Sequence, residues 1–191
     1  EVMPDTMLDY TGGAREFKST GNAMVAIFLL ALMFIYLVMA AQFESWIDPF
    51  IILLSVPLAA LGALLALYLT GNSMNIYSQI GLVTLVGLIT KHGILLVEFA
   101  NQLQDAGKDK LTAIIESASL RLRPILMTTG AMVLGSIPLA LATGAGAESR
   151  STIGWVIVGG LCLGTLLTVF IVPSMYLLLS RHKKLINFDH E

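Results

Sequence analysis

A lysine, Lys91, lies inside a long apolar segment of this 191-residue chain. As a helix, the segment at residues 76–99 is long enough to cross a bilayer core of about 30 Å, since a helix rises about 1.5 Å per residue. Lys91 lies about eight residues, or roughly 12 Å, from the nearer end, too far for its side chain to reach the headgroups freely. An ammonium at that depth costs at least about 2.5–3.5 kcal/mol on insertion scales. It needs a partner or a water-filled cavity, and its position predicts an ion or proton relay.

Other polar residues lie on the same face of this segment. Thr84, Lys91 and Glu98 are spaced seven apart, so each step drifts only about 20° around a helix. Gly87 lies on that face one turn before the lysine, where it would let a partner helix approach. Glu98 is near the end of the segment, which favours an interfacial carboxylate over a relay member. His92 is turned about 100° from Lys91, toward another helix or lipid, and is only a weak candidate.

The next apolar segment adds further polar groups. Thr128 and Thr129 offer hydroxyls within it, and Arg121 and Arg123 stand at its mouth. Each arginine has two interpretations, a functional cation or an anchor that sets membrane topology. The residue types alone leave both open.

The composition indicates an integral membrane protein. Apolar residues make up 56% of the chain, charged residues only 13%, and the mean hydropathy is +0.82. A net charge of −2 does not suggest a nucleic-acid partner. The single cysteine, Cys162, rules out an internal disulfide and argues against a metal cluster. We therefore predict no metal and no cofactor.

Hydropathy predicts an all-α, polytopic fold with five transmembrane helices, because unpaired backbone groups find no water in a bilayer. The predicted spans are residues 21–41, 49–69, 76–99, 125–142 and 153–179. A connector helix at 109–122 has one apolar stripe, which predicts that it lies along the membrane surface. Pro124 should end this connector helix.

Basic residues outside the spans predict the orientation. One side carries Lys108, Lys110, Arg121, Arg123, Arg181, Lys183 and Lys184, and the other carries only Arg15, Lys18 and Arg150. The positive-inside rule then places the tail at 180–191 in the cytoplasm and the tail at 1–20 outside. The outer tail is polar and has no apolar signal region, so we expect it to continue a larger domain.

Several motifs carry a family resemblance. They are TKHGILLVEFA at 90–100, RLRPILMTT at 121–129, QFESW at 42–46 and TGAG at 143–146. In order and spacing they resemble the resistance-nodulation-division (RND) efflux pumps, in the hydrophobe/amphiphile exporter (AcrB-like) branch. The resemblance covers nearly the whole chain, and DYTG at 9–12 is similar to the end of the family's periplasmic domain.

The resemblance implies helices eight to twelve of a twelve-helix, proton-driven drug exporter in the bacterial inner membrane. In that family the lysine matched by Lys91 pairs with two aspartates on helix four, and the residues matched by Arg121 and Thr128 belong to the same proton pathway. From their positions in the sequence and not from the resemblance, Thr84, Gly87, Glu98 and Thr129 are further candidates for supporting this pathway. The resemblance also implies a homotrimer with a periplasmic adaptor and an outer-membrane channel. His92 replaces the asparagine that the family commonly has after the lysine.

None of the five spans has an aspartate in its interior, and Asp48 lies at a boundary. Lys91 therefore has no identifiable counter-ion in this chain, and we expect the chain to be part of a larger or split pump. The alternatives are an orphan fragment or a membrane scaffold that does not transport. An enzyme is disfavoured because the sequence lacks a Ser/His pair at useful spacing, an HExxH motif and a phosphate loop.

Overall fold

The structure, a computed structural model, describes the backbone of residues 13–180 and the side chains of residue 21 and residues 23–180. Within these residues the chain forms six helices. They are α1 (Gly13–Phe43), α2 (Ile47–Leu53), α3 (Ser55–Thr70), α4 (Ile76–Asp105), α5 (Lys110–Ala140) and α6 (Ala147–Leu179). Five stretches are long and apolar enough to cross a membrane: Ala23–Phe43, Ile47–Thr70, Ile76–Asp105, Lys110–Ala140 and Ala147–Leu179. The prediction of an all-α fold with five spans is confirmed. The predicted tails at residues 1–12 and 181–191 lie outside the described residues.

The second span is interrupted where α2 gives way to α3. Pro57 has no N–H to donate to the carbonyl of Leu53, and its ring crowds that carbonyl, so the helix breaks at Leu54. The Ser55 hydroxyl donates to the carbonyl of Ile52 at 2.6 Å and joins the two helices across the break. The two helices still form one span.

The fourth span and the connector form one helix. Pro124 lies inside α5, so the prediction that it ends a separate connector helix at 109–122 is wrong. One missing hydrogen bond is outweighed by packing on both sides of the proline, where Ile114 and Ile125 are fully buried. The Ser117 hydroxyl also ties this part of α5 to the carbonyl of Leu96 on α4 at 2.7 Å.

Helix α6 lies at the centre of the bundle, in contact with α3, α4 and α5. Small residues permit this close packing: a Cβ added to Gly154 would lie 2.3 Å from the backbone of Ala140, and one added to Gly160 would lie 2.1 Å from Leu85. Helix association in a membrane depends on such close approach, because lipid tails compete equally well for apolar surface.

Two apolar clusters form the core, one toward each end of the bundle. The first, which includes α2, contains Met39, Ile51, Ile52, Leu96, Val97, Ala100, Ile114, Ile125, Val172 and Tyr176. The second contains Val56, Ala59, Ala63, Leu67, Leu85, Val86, Ile89, Val156, Ile157 and Leu161. Many large apolar side chains instead point outward, among them Phe34, Leu134 and Phe170. Lipid or other protein must cover a surface of this kind.

Candidate functional site

The polar stripe predicted on α4 lies on an outer face of the described bundle. Thr84, Gly87, Lys91 and Glu98 are all exposed. A Cβ added to Gly87 would meet nothing within 4 Å, so the space beside the lysine is open. The Thr84 hydroxyl donates to the carbonyl of Ile80 in its own helix, at 3.0 Å. The four residues share one face, and α5 and α6 do not cover it.

Lys91 has no counter-ion among the side chains that the structure describes. An ion pair in the described part of the chain joins Lys108 to Glu116, close to the turn between α4 and α5. Glu98 lies on the same face as Lys91 but seven residues away, nearly two helical turns, and forms no ion pair with it among the described residues. The Lys91 ammonium therefore points outward from the bundle, and no carboxylate among the described side chains pairs with it.

Arg121 packs on α4 two turns beyond the lysine. Its guanidinium carbon lies 4.5 Å from the centre of the Phe99 ring, within the range of a cation–π contact. Its Nε is buried and has no hydrogen-bond partner among the described residues. Arg121 is thus a half-buried cation that packs against α4. Arg123 is exposed.

The two threonines of α5 have different environments. Thr128 is half-buried, and its hydroxyl lies 3.0 Å from the carbonyls of both Pro124 and Ile125 in its own helix. Thr129 is buried and faces α4 and α6. Within the described residues, no hydrogen bond joins Lys91 to either threonine.

His92 is fully buried. From the sequence it was only a weak candidate for a functional residue. Its Nε2 lies 3.3 Å from the Thr129 hydroxyl, and its Nδ1 lies 3.4 Å from the hydroxyl of Thr165 on α6. The two hydroxyls are 3.3 Å apart, which closes a triangle. The sequence signal for His92 was its position about 100° around the helix from Lys91. That position did not show whether the histidine would face another helix or lipid.

A second polar network joins the helices at the α2 end of the bundle. Asn101 donates to the buried carboxylate of Asp48 at 2.9 Å and accepts from the Tyr176 hydroxyl at 2.5 Å. Gln104 donates to the same tyrosine oxygen at 2.7 Å. This network connects α2, α4 and α6, and it explains how an apparently interfacial Asp48 is buried. Lys110 caps the end of α6 through the carbonyls of Leu177 and Ser180.

Among the side chains that the structure describes, no group of three or more His, Cys, Asp or Glu residues is placed to hold a metal ion. The arrangement is instead a set of membrane helices with one exposed polar face, a lone lysine on it and buried hydrogen-bond networks behind it. In membrane helices such lysines mark ion and proton pathways. The fold is that of a polytopic membrane protein with an exposed lysine in one of its apolar helices.

Comparison with known proteins identifies the family. Residues 1–180 match the model of the AcrB/AcrD/AcrF family. The chain is 52% identical over 189 residues to an uncharacterized transporter of Haemophilus influenzae, with 95% of the chain and 18% of the relative covered. It is 43% identical over 171 residues to the toluene efflux pump membrane transporter TtgB of Pseudomonas putida, with 90% of the chain and 16% of the relative covered.

The multidrug resistance protein MdtF of Escherichia coli is 41% identical over 180 residues, with coverage of 92% of the chain and 17% of that protein. The chain belongs to the AcrB/AcrD/AcrF family of RND efflux transporters. It spans less than a fifth of the length of each of these curated relatives.

Proposed function

We propose that this chain forms helices eight to twelve of a proton-driven RND transporter that exports drugs or other amphiphiles. Lys91, Arg121 and Thr128 would belong to its proton relay. The observation that carries the proposal is the exposed α4 face, where Lys91 stands beside the open space at Gly87 with no described counter-ion. The names of relatives such as TtgB and MdtF support export of solvents and drugs as the substrate class.

The energetics of Lys91 support a partner outside this chain. A lysine left on a lipid-facing surface would carry the insertion cost of at least about 2.5–3.5 kcal/mol. A carboxylate on a facing helix can offset that cost by pairing with the ammonium. The two helix-four aspartates implied by the family resemblance have the required chemistry. Because Gly87 has no side chain, the partner helix can approach the lysine closely.

Such a pair can couple proton movement to conformation. When the carboxylates are ionised, they hold the Lys91 ammonium and favour one arrangement of the helices. When they take up protons, the attraction is lost and a second arrangement becomes favoured. A proton gradient then drives alternation between the two arrangements, provided that the protons enter from one side and leave to the other.

Arg121 and Thr128 would act on the α5 side of this relay. The arginine, held by the Phe99 ring, contributes a fixed positive charge near the end of α4 that bears Glu98. The Thr128 hydroxyl already donates its hydrogen to a carbonyl of its own helix. Its oxygen lone pairs therefore stay available to accept a hydrogen bond from a protonated group or a water. Thr84, Gly87, Glu98 and Thr129 would support the pathway through shape and hydrogen bonding.

We place the transporter in the bacterial inner membrane, with the end of the chain in the cytoplasm by the positive-inside rule. A homotrimer that works with a periplasmic adaptor and an outer-membrane channel follows from the family resemblance. Neither a cofactor nor a nucleic acid enters this mechanism. The second candidate function is a membrane scaffold without transport of its own, in which the Lys91 face serves only for assembly.

Replacement of Lys91 tests the relay and separates the two candidates. In the complete transporter, Lys91→Ala should abolish export of ethidium from cells while the protein is still produced, because its acidic partners lose their cation. Lys91→Arg should also export poorly, since a planar guanidinium does not replace a compact ammonium. Lys108→Ala removes the same side chain outside the stripe and should export normally. Normal export by a well-produced Lys91→Ala protein would support the scaffold.

A further inference from the structure

Three buried side chains, one from each of three helices, meet between the two apolar clusters. They are His92 of α4, Thr129 of α5 and Thr165 of α6, with 0%, 8% and 2% of their surfaces exposed. The three side-chain contacts are 3.3–3.4 Å long. On α4 the histidine falls between Ile89 of one cluster and Leu96 of the other. The triangle is thus enclosed by protein.

The chemistry of the three groups is complementary. A neutral imidazole has one N–H donor and one nitrogen acceptor, and each threonine hydroxyl donates once and accepts. The three groups can therefore donate to one another in a closed cycle, in either direction, with every donor satisfied. A single missing hydroxyl would break the cycle and leave buried polar atoms unpaired, which is the costly case.

The triangle also lies next to the residues of the proposed relay. His92 follows Lys91 in the chain, and Thr129 follows Thr128. Apolar contacts are not directional, so by themselves they permit a helix to rotate slightly or to slide. Hydrogen bonds with defined geometry restrict both movements. Whatever fixes His92 against Thr129 and Thr165 also fixes the direction in which Lys91 points.

We propose that His92, together with Thr129 and Thr165, positions the relay by setting the rotation of α4 against α5 and α6. This inference rests on the proposed function of Lys91. It assigns His92 and Thr165 a role in transport through the lysine, with no contact of their own with protons in transit or with the exported molecule.

Removal of single hydroxyls in the complete transporter tests the proposal. Thr129→Val and Thr165→Val replace a hydroxyl by a methyl group of similar shape, while Thr129→Ser and Thr165→Ser keep the hydroxyl. Thr168 provides the matched control, because it is fully buried on α6 but its hydroxyl has no partner among the described residues. The readout is the rate of ethidium export per folded pump. The amount of folded pump is measured by size-exclusion chromatography in detergent, and the export rate is divided by it.

We expect each valine variant to lose about fivefold or more of this rate, the factor that corresponds to one broken buried hydrogen bond. The serine variants and Thr168→Val should keep most of it. His92→Phe combined with Thr129→Val should export little worse than either single variant, since both break one network. A merely structural role would reduce the folded amount and leave the rate per folded pump unchanged, and that result would overturn the proposal.

If the valine variants do not fold, His92→Asn is the substitute variant. We expect it to fold because the family resemblance places asparagine at this position. Its amide ends closer to the backbone than the far ring nitrogen does, so it cannot reach both hydroxyls, and we expect a reduced rate. A wild-type rate would contradict the positioning role. Lys91→Ala is measured in parallel. If it exports normally, the proposed function is refuted. If Lys91→Ala is inactive while the variants of His92, Thr129 and Thr165 are fully active, only this inference is refuted.

Discussion

Gly62 of α3 and Gly159 of α6 bring the backbones of their helices into mutual contact. A Cβ added to Gly62 would lie 2.7 Å from the carbonyl oxygen of Gly159, and one added to Gly159 would lie 2.8 Å from the carbonyl oxygen of Gly62. Each glycine therefore leaves room for the backbone of the other. This contact holds α3 against the central helix, which in turn supports α4 and its polar face.

Gly62→Ala should consequently destabilise the bundle. The added methyl group meets backbone, which cannot move aside like the end of a flexible side chain, so we expect a loss of about 1–3 kcal/mol. The midpoint of thermal unfolding in detergent, followed by circular dichroism, measures it. Gly135→Ala on α5 is the control, because its added Cβ would meet nothing within 4 Å. Equal midpoints for the two variants would contradict the close-contact interpretation.

The network around Tyr176 gives a second stability prediction. Tyr176→Phe removes the hydroxyl that contacts Asn101 and Gln104, so the half-buried amide of Asn101 and the buried amide of Gln104 each lose a partner. We expect the free energy of unfolding to fall by about 1–3 kcal/mol. Tyr68→Phe is the matched control, since Tyr68 is 82% exposed. Tyr176→Phe with wild-type stability would mean that water or neighbouring groups replace the hydroxyl at no cost.

The sequence predicted the elements and the polar face better than the contacts between helices. Hydropathy located all five spans because a bilayer demands about twenty apolar residues for each. The seven-residue spacing placed Thr84, Lys91 and Glu98 on one face because helical periodicity is a local property. Neither signal specifies which helices are neighbours.

The contacts that the sequence missed depend on neighbouring helices. His92 meets Thr165 across 73 positions of chain, and Asn101 meets Tyr176 across 75. Periodicity on one helix cannot supply the partner on another. Pro124 was misjudged for a related reason: its local preference favours a helix end, while tertiary packing around Ile114 and Ile125 keeps α5 continuous.

Orientation is tested by cysteine labelling in spheroplasts. A cysteine at position 108, introduced into a Cys162→Ala background, should resist an impermeant maleimide until the membrane is permeabilised, because the positive-inside rule places the α4–α5 turn in the cytoplasm. The Lys108–Glu116 ion pair is exposed, so its loss should cost little. Ala145→Cys, in the exposed turn before α6, should react at once. Labelling at 108 in sealed spheroplasts would reverse the proposed orientation.

The last prediction concerns the chain on its own. Lys91 has no counter-ion among the described residues, so the isolated polypeptide lacks a pair that protonation could switch. Reconstituted alone in liposomes with an imposed pH gradient, it should show no ethidium transport. Adding the rest of the transporter, including the two aspartates that the family resemblance implies on helix four, should raise the midpoint of thermal unfolding by covering the exposed α4 face. The same remaining part with both aspartates changed to asparagine should stabilise the chain less, because asparagine keeps the shape of aspartate but carries no negative charge to pair with Lys91. Proton-driven ethidium transport by the purified chain alone would show that Lys91 needs no partner and would refute the proposed relay.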